Sequence, residues 1–348
     1  MGCRSLAIFG MLVFIVVAGN VGAQQIDQFV HAKSYCIMDA DTGRVLSSQN
    51  PHLMLPPAST LKVGTALVAI GSLKLTDRIP VSPHAAAAPP SKINIRPGET
   101  YSVQDILYAV LLASANDAAR ALAEKVSGSE EMFAAYMTSR LRQLGAYRTN
   151  FETASGLPAA GQYSTAYDLA LIFYHAIQNP TLARIMSTKT FCLDNGKDVR
   201  NNNRFLFSTQ YAVAGKTGWT RASQHTFVGL FRNGDKRIII SLMGSPNKWP
   251  DLRLLIAQGF SGMGTPIAAL PPLEERLRRT STGFVMAGEN GSRPHRSVKS
   301  RSKVVRAGIA SSGGKNSRSS GAWQSGQKKK SSKSKARTSA STSNKSRS

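Results

Sequence analysis

A serine and a lysine three positions apart open an apolar stretch of the sequence, at Ser59 and Lys62 in "PASTLKVGTALVAI". In a helix the two side chains would lie on one face, about a turn apart. A serine hydroxyl becomes a nucleophile when a neighbouring base takes its proton, and a lysine of lowered pKa can be that base. The alternative is that Ser59 caps the helix and Lys62 is a solvated charge. This segment alone does not separate the two interpretations.

Two further short motifs lie where chemistry could use them. Ser114-Ala115-Asn116 stands between two predicted helices, and Lys216-Thr217-Gly218 stands on a predicted strand, where Gly218 would let a ligand's backbone lie close. Each is weak alone, because a serine can cap the next helix and a strand lysine is usually solvated. Together, in this order and in these settings, the three motifs are typical of serine acyltransferases.

The elements that must position these motifs follow from the hydrophobic periodicity. Residues 34–50 predict a β-hairpin, and strands are predicted at 93–95, 211–218, 225–233 and 236–245. Helices are predicted at 59–73, 102–114, 116–126, 130–143, 164–177 and 249–260, with caps at Ser102 and at Ser164 or Thr165. Strands at both ends with helices between them indicate an α+β fold, an antiparallel sheet built from both ends with an inserted helical block.

The two ends of the chain differ from this central part. Residues 1–23 have a positive start, an apolar core and small residues before Gln24, the pattern of a secretory signal peptide. Residues 291–348 hold sixteen Lys or Arg and no Asp or Glu, within a chain of net charge +25. We therefore expect export to the periplasm or cell envelope, a catalytic domain over 24–277, and a disordered basic tail over 278–348.

The sequence resembles the penicillin-binding serine acyltransferases, and most of all the low-molecular-mass D-alanyl-D-alanine carboxypeptidases. The resemblance runs from about Ser34 to Gly244 and includes "SYCIMDADTGRVL", "PASTLK", "LLASANDAARALAE", "GLPAAGQYSTAYDLALI" and "AGKTGWT". It implies a β-lactamase/transpeptidase-like fold. It also implies an enzyme of cell wall biogenesis and cell shape that needs no metal or other cofactor. Its substrates would be peptidoglycan stem pentapeptides, which lose their terminal D-alanine, and β-lactam antibiotics would be covalent inhibitors.

The resemblance also implies a role for each motif residue. Ser59 would be the nucleophile, Lys62 the general base, Ser114 a proton relay to the leaving D-alanine, and Asn116 a hydrogen-bonding partner of Lys62 and of the substrate peptide. The carboxylate of the substrate would be held by Lys216 and Thr217 beside Gly218. The backbone N–H groups of Ser59 and Trp219 would form the oxyanion hole. Arg204 resembles a family arginine near the carboxylate, although its spacing to Lys216 is short.

The sequence also departs from the family pattern. Trp219 stands where relatives often carry histidine. Residues 266–286 are too few for the second, all-β domain of many such enzymes, and an amphipathic membrane helix is not evident.

Several alternatives stay open. A D,D-endopeptidase of peptidoglycan cross-links would share the three motifs. A serine β-lactamase is disfavoured because Glu152 lacks the Glu-x-x-Leu-Asn arrangement of the best-known class. A Ser-His-Asp hydrolase lacks its Gly-x-Ser-x-Gly elbow, and no metal-binding spacing is present.

In a different class, the basic tail would make the protein a binder of polyanions, meaning anionic membranes or envelope polymers and no specific nucleic acid. Export also permits a disulfide between Cys36 and Cys192. No feature of the sequence brings the two together, and two buried thiols are the simpler expectation.

Overall fold

The computed structural model describes residues 30–268 and residue 270. Its main sheet has five strands: β1 (Ser34–Asp39), β2 (Val45–Gln49), β7 (Ala212–Thr220), β8 (Gln224–Asn233) and β9 (Lys236–Ser245). Their order is β2-β1-β9-β8-β7, and every neighbouring pair is antiparallel. The first and last strands of the domain therefore meet inside one sheet, where Tyr35 pairs with Leu242. The predicted α+β architecture is confirmed.

The helical block and two small hairpins lie between β2 and β7 in sequence. The helices are Lys62–Ile70 (α1), Pro83–Ala86 (α2), Val103–Leu111 (α3), Asn116–Ser127 (α4), Glu130–Gln143 (α5), Ala166–Gln178 (α6), Pro180–Ser187 (α7) and Phe205–Ser208 (α8), with Lys248–Gly262 (α9) after the last strand. The small hairpins pair β3 (Arg78–Pro80) with β4 (Thr100–Ser102) and β5 (Thr190–Cys192) with β6 (Asp198–Arg200).

Alternation along the central strands divides the apolar interior into two clusters. In β1, Cys36 and Met38 belong to the larger cluster, under the helical block, whereas Tyr35 and Ile37 belong to the smaller one. Successive strand residues point to opposite faces of a sheet, so both faces of β1 are buried. Helix α6 packs against β1 and β9, while α9 packs against β8 and β9. The sheet is thus a rigid layer between two apolar packings.

Three local details differ from or refine the sequence prediction. The predicted helix at 59–73 is a 3₁₀ turn at Ala58–Leu61 followed by α1. Residues 93–95 form no strand, because the carboxylate of Asp117 accepts hydrogen bonds from the backbone N–H groups of Ile93 and Ile95 at 3.2 and 3.1 Å. Of the two candidate caps for α6, Thr165 accepts from the backbone N–H of Asp168 at 3.0 Å.

Both remaining cysteines are free: Cys36 is buried and Cys192 is exposed, so the expectation that both thiols are buried is wrong for Cys192. None of the helices in the described residues combines the length and apolar character that a membrane crossing needs. The predicted signal peptide at 1–23 and the whole predicted tail at 278–348 lie outside the described residues.

Candidate active site

Ser59 is not a helix cap. It lies inside the 3₁₀ turn, whose N-cap residue is Pro57, and no side chain caps either that turn or α1. Its hydroxyl instead faces Lys62, whose Nζ lies 3.0 Å from Ser59 Oγ. The spacing of three residues therefore places the two groups within hydrogen-bonding distance. Ser59 keeps part of its surface exposed while Lys62 is fully buried.

Lys62 Nζ has two further neighbours that can only accept hydrogen bonds. They are Asn116 Oδ1 at 2.7 Å and the backbone oxygen of Ser155 at 2.6 Å. A neutral amine has two hydrogens and one lone pair. With both hydrogens donated to these oxygens, the lone pair is directed to Ser59 Oγ and can accept its proton. This set of neighbours suits a lysine that acts as a base.

The surroundings of Lys62 also favour its neutral form. Burial lowers the pKa of Lys62 well below its usual value, and the neighbouring Lys216 lowers it further. The carboxylates of Glu130 and Asp117 act in the opposite direction. The first two influences prevail, so the group has the lowered pKa that a general base needs near neutral pH.

Lys216 connects the third motif to the second. Its Nζ donates to Ser114 Oγ and to the backbone oxygen of Thr217, both at 2.9 Å, and only 1% of the residue is exposed. Burial, with a smaller contribution from Lys248, lowers the pKa of Lys216 to about 7. Ser114 lies between α3 and α4 with a φ of 62°, a left-handed conformation that is uncommon outside glycine and clusters at functional sites.

Strand β7 brings Gly218 against the turn that holds Ser59. A Cβ added at Gly218 would stand 2.3 Å from Thr226 Oγ1 and 2.8 Å from the backbone nitrogen of Ser59. Thr226 in turn donates to the backbone oxygen of Pro57 at 2.9 Å. Gly218 thus permits the close approach of β7 to the 3₁₀ turn, whereas the sequence suggested that it makes room for a ligand. Trp219, the next residue, has 58% of its surface exposed.

Arg204 lies on the surface and acts electrostatically on Lys248, a neighbour of Lys216. It is exposed and lines a pocket of about 250 Å³ with Arg200, Asn202 and Phe207. Its charge acts on Lys248, whose pKa is lowered to about 8 by burial first and by Arg204 second. No hydrogen bond joins the Arg204 side chain to Lys216 among the described residues.

Three groups at the site were not found from the sequence. Lys248 Nζ lies 2.9 Å from His225 Nδ1 and 4.7 Å from the centre of the Trp249 ring. Lys248 is thus a third lysine at the site, and its charge acts on Lys216. Ser155 contributes a backbone oxygen, which no residue type would reveal. Glu130 is an acidic residue at the start of α5, and it is buried.

Glu152, the residue weighed for a β-lactamase, is not part of this cluster. It is exposed, and its carboxylate accepts from Asn150 Nδ2 at 2.6 Å. Among the residues described there is also no group of three His, Cys, Asp or Glu side chains that could hold a metal ion. The side chains that these contacts bring together are those of Ser59, Lys62, Asn116, Ser114 and Lys216.

Comparisons with known proteins point to one family. A profile of the family described as D-alanyl-D-alanine carboxypeptidase matches residues 20–247. D-alanyl-D-alanine carboxypeptidase DacB2 of Mycobacterium tuberculosis is 35% identical over 241 residues, which cover 66% of this chain and 82% of that relative. DacF of Bacillus subtilis is 32% identical over 62% of this chain, and the match spans just over half (57%) of that relative.

A solved structure gives the same indication. Penicillin-binding protein D2 of Listeria monocytogenes in its ampicillin-bound form superimposes with a TM-score of 0.60 at 27% identity, covering 67% of this chain and 98% of that one.

Proposed function

The chain belongs to the D-alanyl-D-alanine carboxypeptidase family of serine peptidases, and we propose that Ser59 is the nucleophile with which it removes the terminal D-alanine from peptidoglycan stem pentapeptides. One observation carries the assignment to Ser59. Its hydroxyl lies 3.0 Å from a fully buried amine whose other two neighbours can only accept hydrogen bonds.

The first half-reaction forms an acyl-enzyme. Ser59 Oγ attacks the carbonyl carbon between the two D-alanines while its proton passes to the lone pair of Lys62 Nζ. The oxyanion that develops is bound by the backbone N–H groups of Ser59 and Trp219. The carbon–nitrogen bond then breaks, and the leaving amine of D-alanine receives from Lys62, through Ser114, the proton that left Ser59. Asn116 keeps Lys62 in place and accepts its hydrogen throughout.

The second half-reaction restores the enzyme. A water molecule attacks the ester carbonyl and gives a proton to Lys62, and Lys62 passes this proton to Ser59 Oγ as the ester bond breaks. The substrate's carboxylate is bound by Lys216 and Thr217 at the edge strand β7, where the extended peptide can lie alongside the sheet. Charge attracts the carboxylate, and the Thr217 hydroxyl orients it.

β-Lactam antibiotics acylate the same serine in this proposal. A β-lactam presents a strained carbonyl and a carboxylate, and these match the oxyanion hole and the lysine site. The ampicillin-bound form of the Listeria protein supports this part of the proposal. A D,D-endopeptidase cuts after the same D-alanine, so only its larger leaving group distinguishes it.

The protein acts outside the cytoplasm in this proposal. The sequence of residues 1–23 directs export, and the basic residues of 291–348 associate with anionic membrane or envelope polymers. Each lysine or arginine near an anionic surface contributes about 1 kcal/mol, so the segment is charged enough to dock. Deleting 291–348 should abolish sedimentation with anionic vesicles, and unchanged sedimentation would refute this role.

The test of Ser59 is the intact mass of the exported chain, residues 24–348, after reaction with benzylpenicillin, beside Ser59→Ala. We expect one penicillin adduct on the wild type, none on the variant, and release of D-alanine from a pentapeptide by the wild type alone. An adduct that persists in Ser59→Ala would refute the assignment. Rapid consumption of penicillin without a lasting adduct would make the chain a β-lactamase.

A further inference from the structure

Glu130 is a buried acid with two specific partners. It is the first residue of α5 and only 5% of it is exposed, while the next residue, Glu131, faces solvent. Its Oε2 lies 2.7 Å from Nε of Arg120 on α4, and its Oε1 accepts from the backbone N–H of Ala154 at 3.0 Å. A buried carboxylate is costly unless it is paired and hydrogen-bonded, and Glu130 meets both conditions.

The bond to Ala154 fixes the segment that contacts Lys62. Thr65 Oγ1 donates to the backbone oxygen of Ala154 at 2.8 Å, so both polar backbone groups of that residue are held by buried side chains. The next carbonyl, that of Ser155, is the one that accepts from Lys62 at 2.6 Å. The position of this oxygen relative to the amine therefore depends on Glu130 through one intervening residue.

Glu130 also contributes charge. The ionisable groups that act on Lys62 are Lys216 from β7, Asp117 from α4 and Glu130 from α5. The carboxylate of Asp117 accepts hydrogen bonds from the backbone N–H groups of Ile93, Ile95 and Ala118, so it also holds the loop before α4 in place. Glu130 faces Arg120 on one side and the Ala154 segment on the other.

We propose that Glu130 is a positioning residue for the general base: it holds the Ser155 carbonyl against Lys62, and its negative charge stabilises the protonated form of the Lys62 amine. This inference rests on the proposed function, because Lys62 must be the base for its effect to be seen. Glu130 touches neither substrate nor the reacting atoms, so it acts only through Lys62 and the Ala154–Ser155 segment.

The chain provides a matched pair of variants. Glu130→Gln keeps an oxygen acceptor for Ala154 but removes the buried charge, and Glu131→Gln makes the same charge change at the surface. The readout is the rate constant of acylation by benzylpenicillin from pH 5 to 9, expressed per acylatable molecule. A loss of stability alone would lower the melting temperature and the acylatable fraction, but not move this profile.

We expect the acid limb of the profile to move to lower pH in Glu130→Gln. Without the carboxylate, and with Arg120 unpaired, the Lys62 ammonium loses a stabilising neighbour and deprotonates at lower pH. Shifts of 1–3 units are typical of charges within about 4–6 Å, and Glu130 ranks below burial and Lys216 among the influences on Lys62, so we expect about half a unit. Glu131→Gln should leave the limb unchanged. In Glu130→Ala, which also frees the N–H of Ala154, the plateau rate should fall as well.

A limb in Glu130→Gln that coincides with that of Glu131→Gln would overturn the inference. If Glu130→Gln does not fold, Arg120→Gln takes its place: it leaves Glu130 without its cation, and the limb should move to higher pH. An unmoved limb there would overturn the inference equally. A wild type that is not acylated at all would instead refute the proposed function, so the two failures are distinguishable.

Discussion

Replacing Lys216 with methionine should make the protein more stable and less active. Lys216 is fully buried, with a pKa of about 7 against a usual 10.5. Because the folded state disfavours the charged form, unfolding takes up a proton at any pH between these two values. Above about pH 10.5 Lys216 is neutral in both states and its burial imposes no electrostatic cost on folding. The cost grows as the pH falls and reaches its full size at about pH 7.

The magnitude follows from the size of this shift. At about 1.4 kcal/mol per unit, the lowered pKa costs the folded state about 5 kcal/mol at pH 6, where Lys216 is buried with its charge, and about 2 kcal/mol at pH 9, where folding removes its proton. Methionine keeps most of the apolar stem but leaves Ser114 Oγ and the Thr217 carbonyl without their donor, a loss of about 1–3 kcal/mol. The variant should thus gain roughly 2–4 kcal/mol at pH 6 and roughly nothing at pH 9. Since Lys216 also lowers the Lys62 pKa, its removal relieves part of the cost there, with the same sign.

The assay is thermal and urea unfolding of Lys216→Met and wild type at pH 6 and pH 9. Lys74→Met serves as the control, because Lys74 is exposed. For a domain of this size the gain at pH 6 corresponds to a rise of roughly 5–10 °C in melting temperature. The acylation rate of Lys216→Met should fall, while that of Lys74→Met should not. A stability difference between Lys216→Met and wild type that is the same at both pH values would refute the argument that burial holds Lys216 at a lowered pKa.

Two further predictions concern the nucleophile's surroundings and the thiols. Gly218→Ala places a Cβ 2.8 Å from the Ser59 nitrogen, so benzylpenicillin acylation should slow by about 10²–10³, the usual effect of losing one oxyanion donor. Gly262→Ala, which meets no atom within 4 Å, is the control, and a Gly218→Ala rate equal to that of the control would contradict the account. In the exported chain only Cys192 should react with a thiol reagent before denaturation, because Cys36 is buried and its pKa is raised to about 12. If neither Cys36 nor Cys192 reacts with the reagent until the protein is reduced, the two cysteines form a disulfide.

Periodicity was sufficient to predict the main sheet and its helices. The strands at 225–233 and 236–245 are short apolar runs on either side of a turn, and both are buried along six or more consecutive residues, whereas the closing helix buries residues three to four apart. The exception at 93–95 shows the limit of this reasoning. An Ile-x-Ile alternation looks like a strand, but here the backbone N–H groups bond to a carboxylate from α4.

The site residues were predicted from three motifs, whereas their partners could not be. Ser155 contributes through its carbonyl, which any residue would supply. Glu130 is adjacent to an exposed glutamate of the same type, and only the tertiary contacts with Arg120 and Ala154 distinguish the two. Lys248 approaches His225 across a turn between sheet and helix. Such groups are recognised by burial and distance, and a single sequence carries neither.

The two buried lysines explain why a site of this kind must cost stability. A lysine left in water stays protonated at neutral pH and cannot take a proton from a serine. Burial lowers the pKa of Lys62, as its proposed role as the base requires, and Lys216 beside it disfavours a second positive charge there. Lys216 in turn is near the balance between its two forms at pH 7, so a carboxylate that binds it would favour its cation. In the proposed mechanism, the Lys216 cation that binds the carboxylate disfavours a second positive charge on Lys62, which would couple recognition of the substrate's end to activation of Ser59. In that mechanism the same desolvation that destabilises the fold supplies both the base and its control.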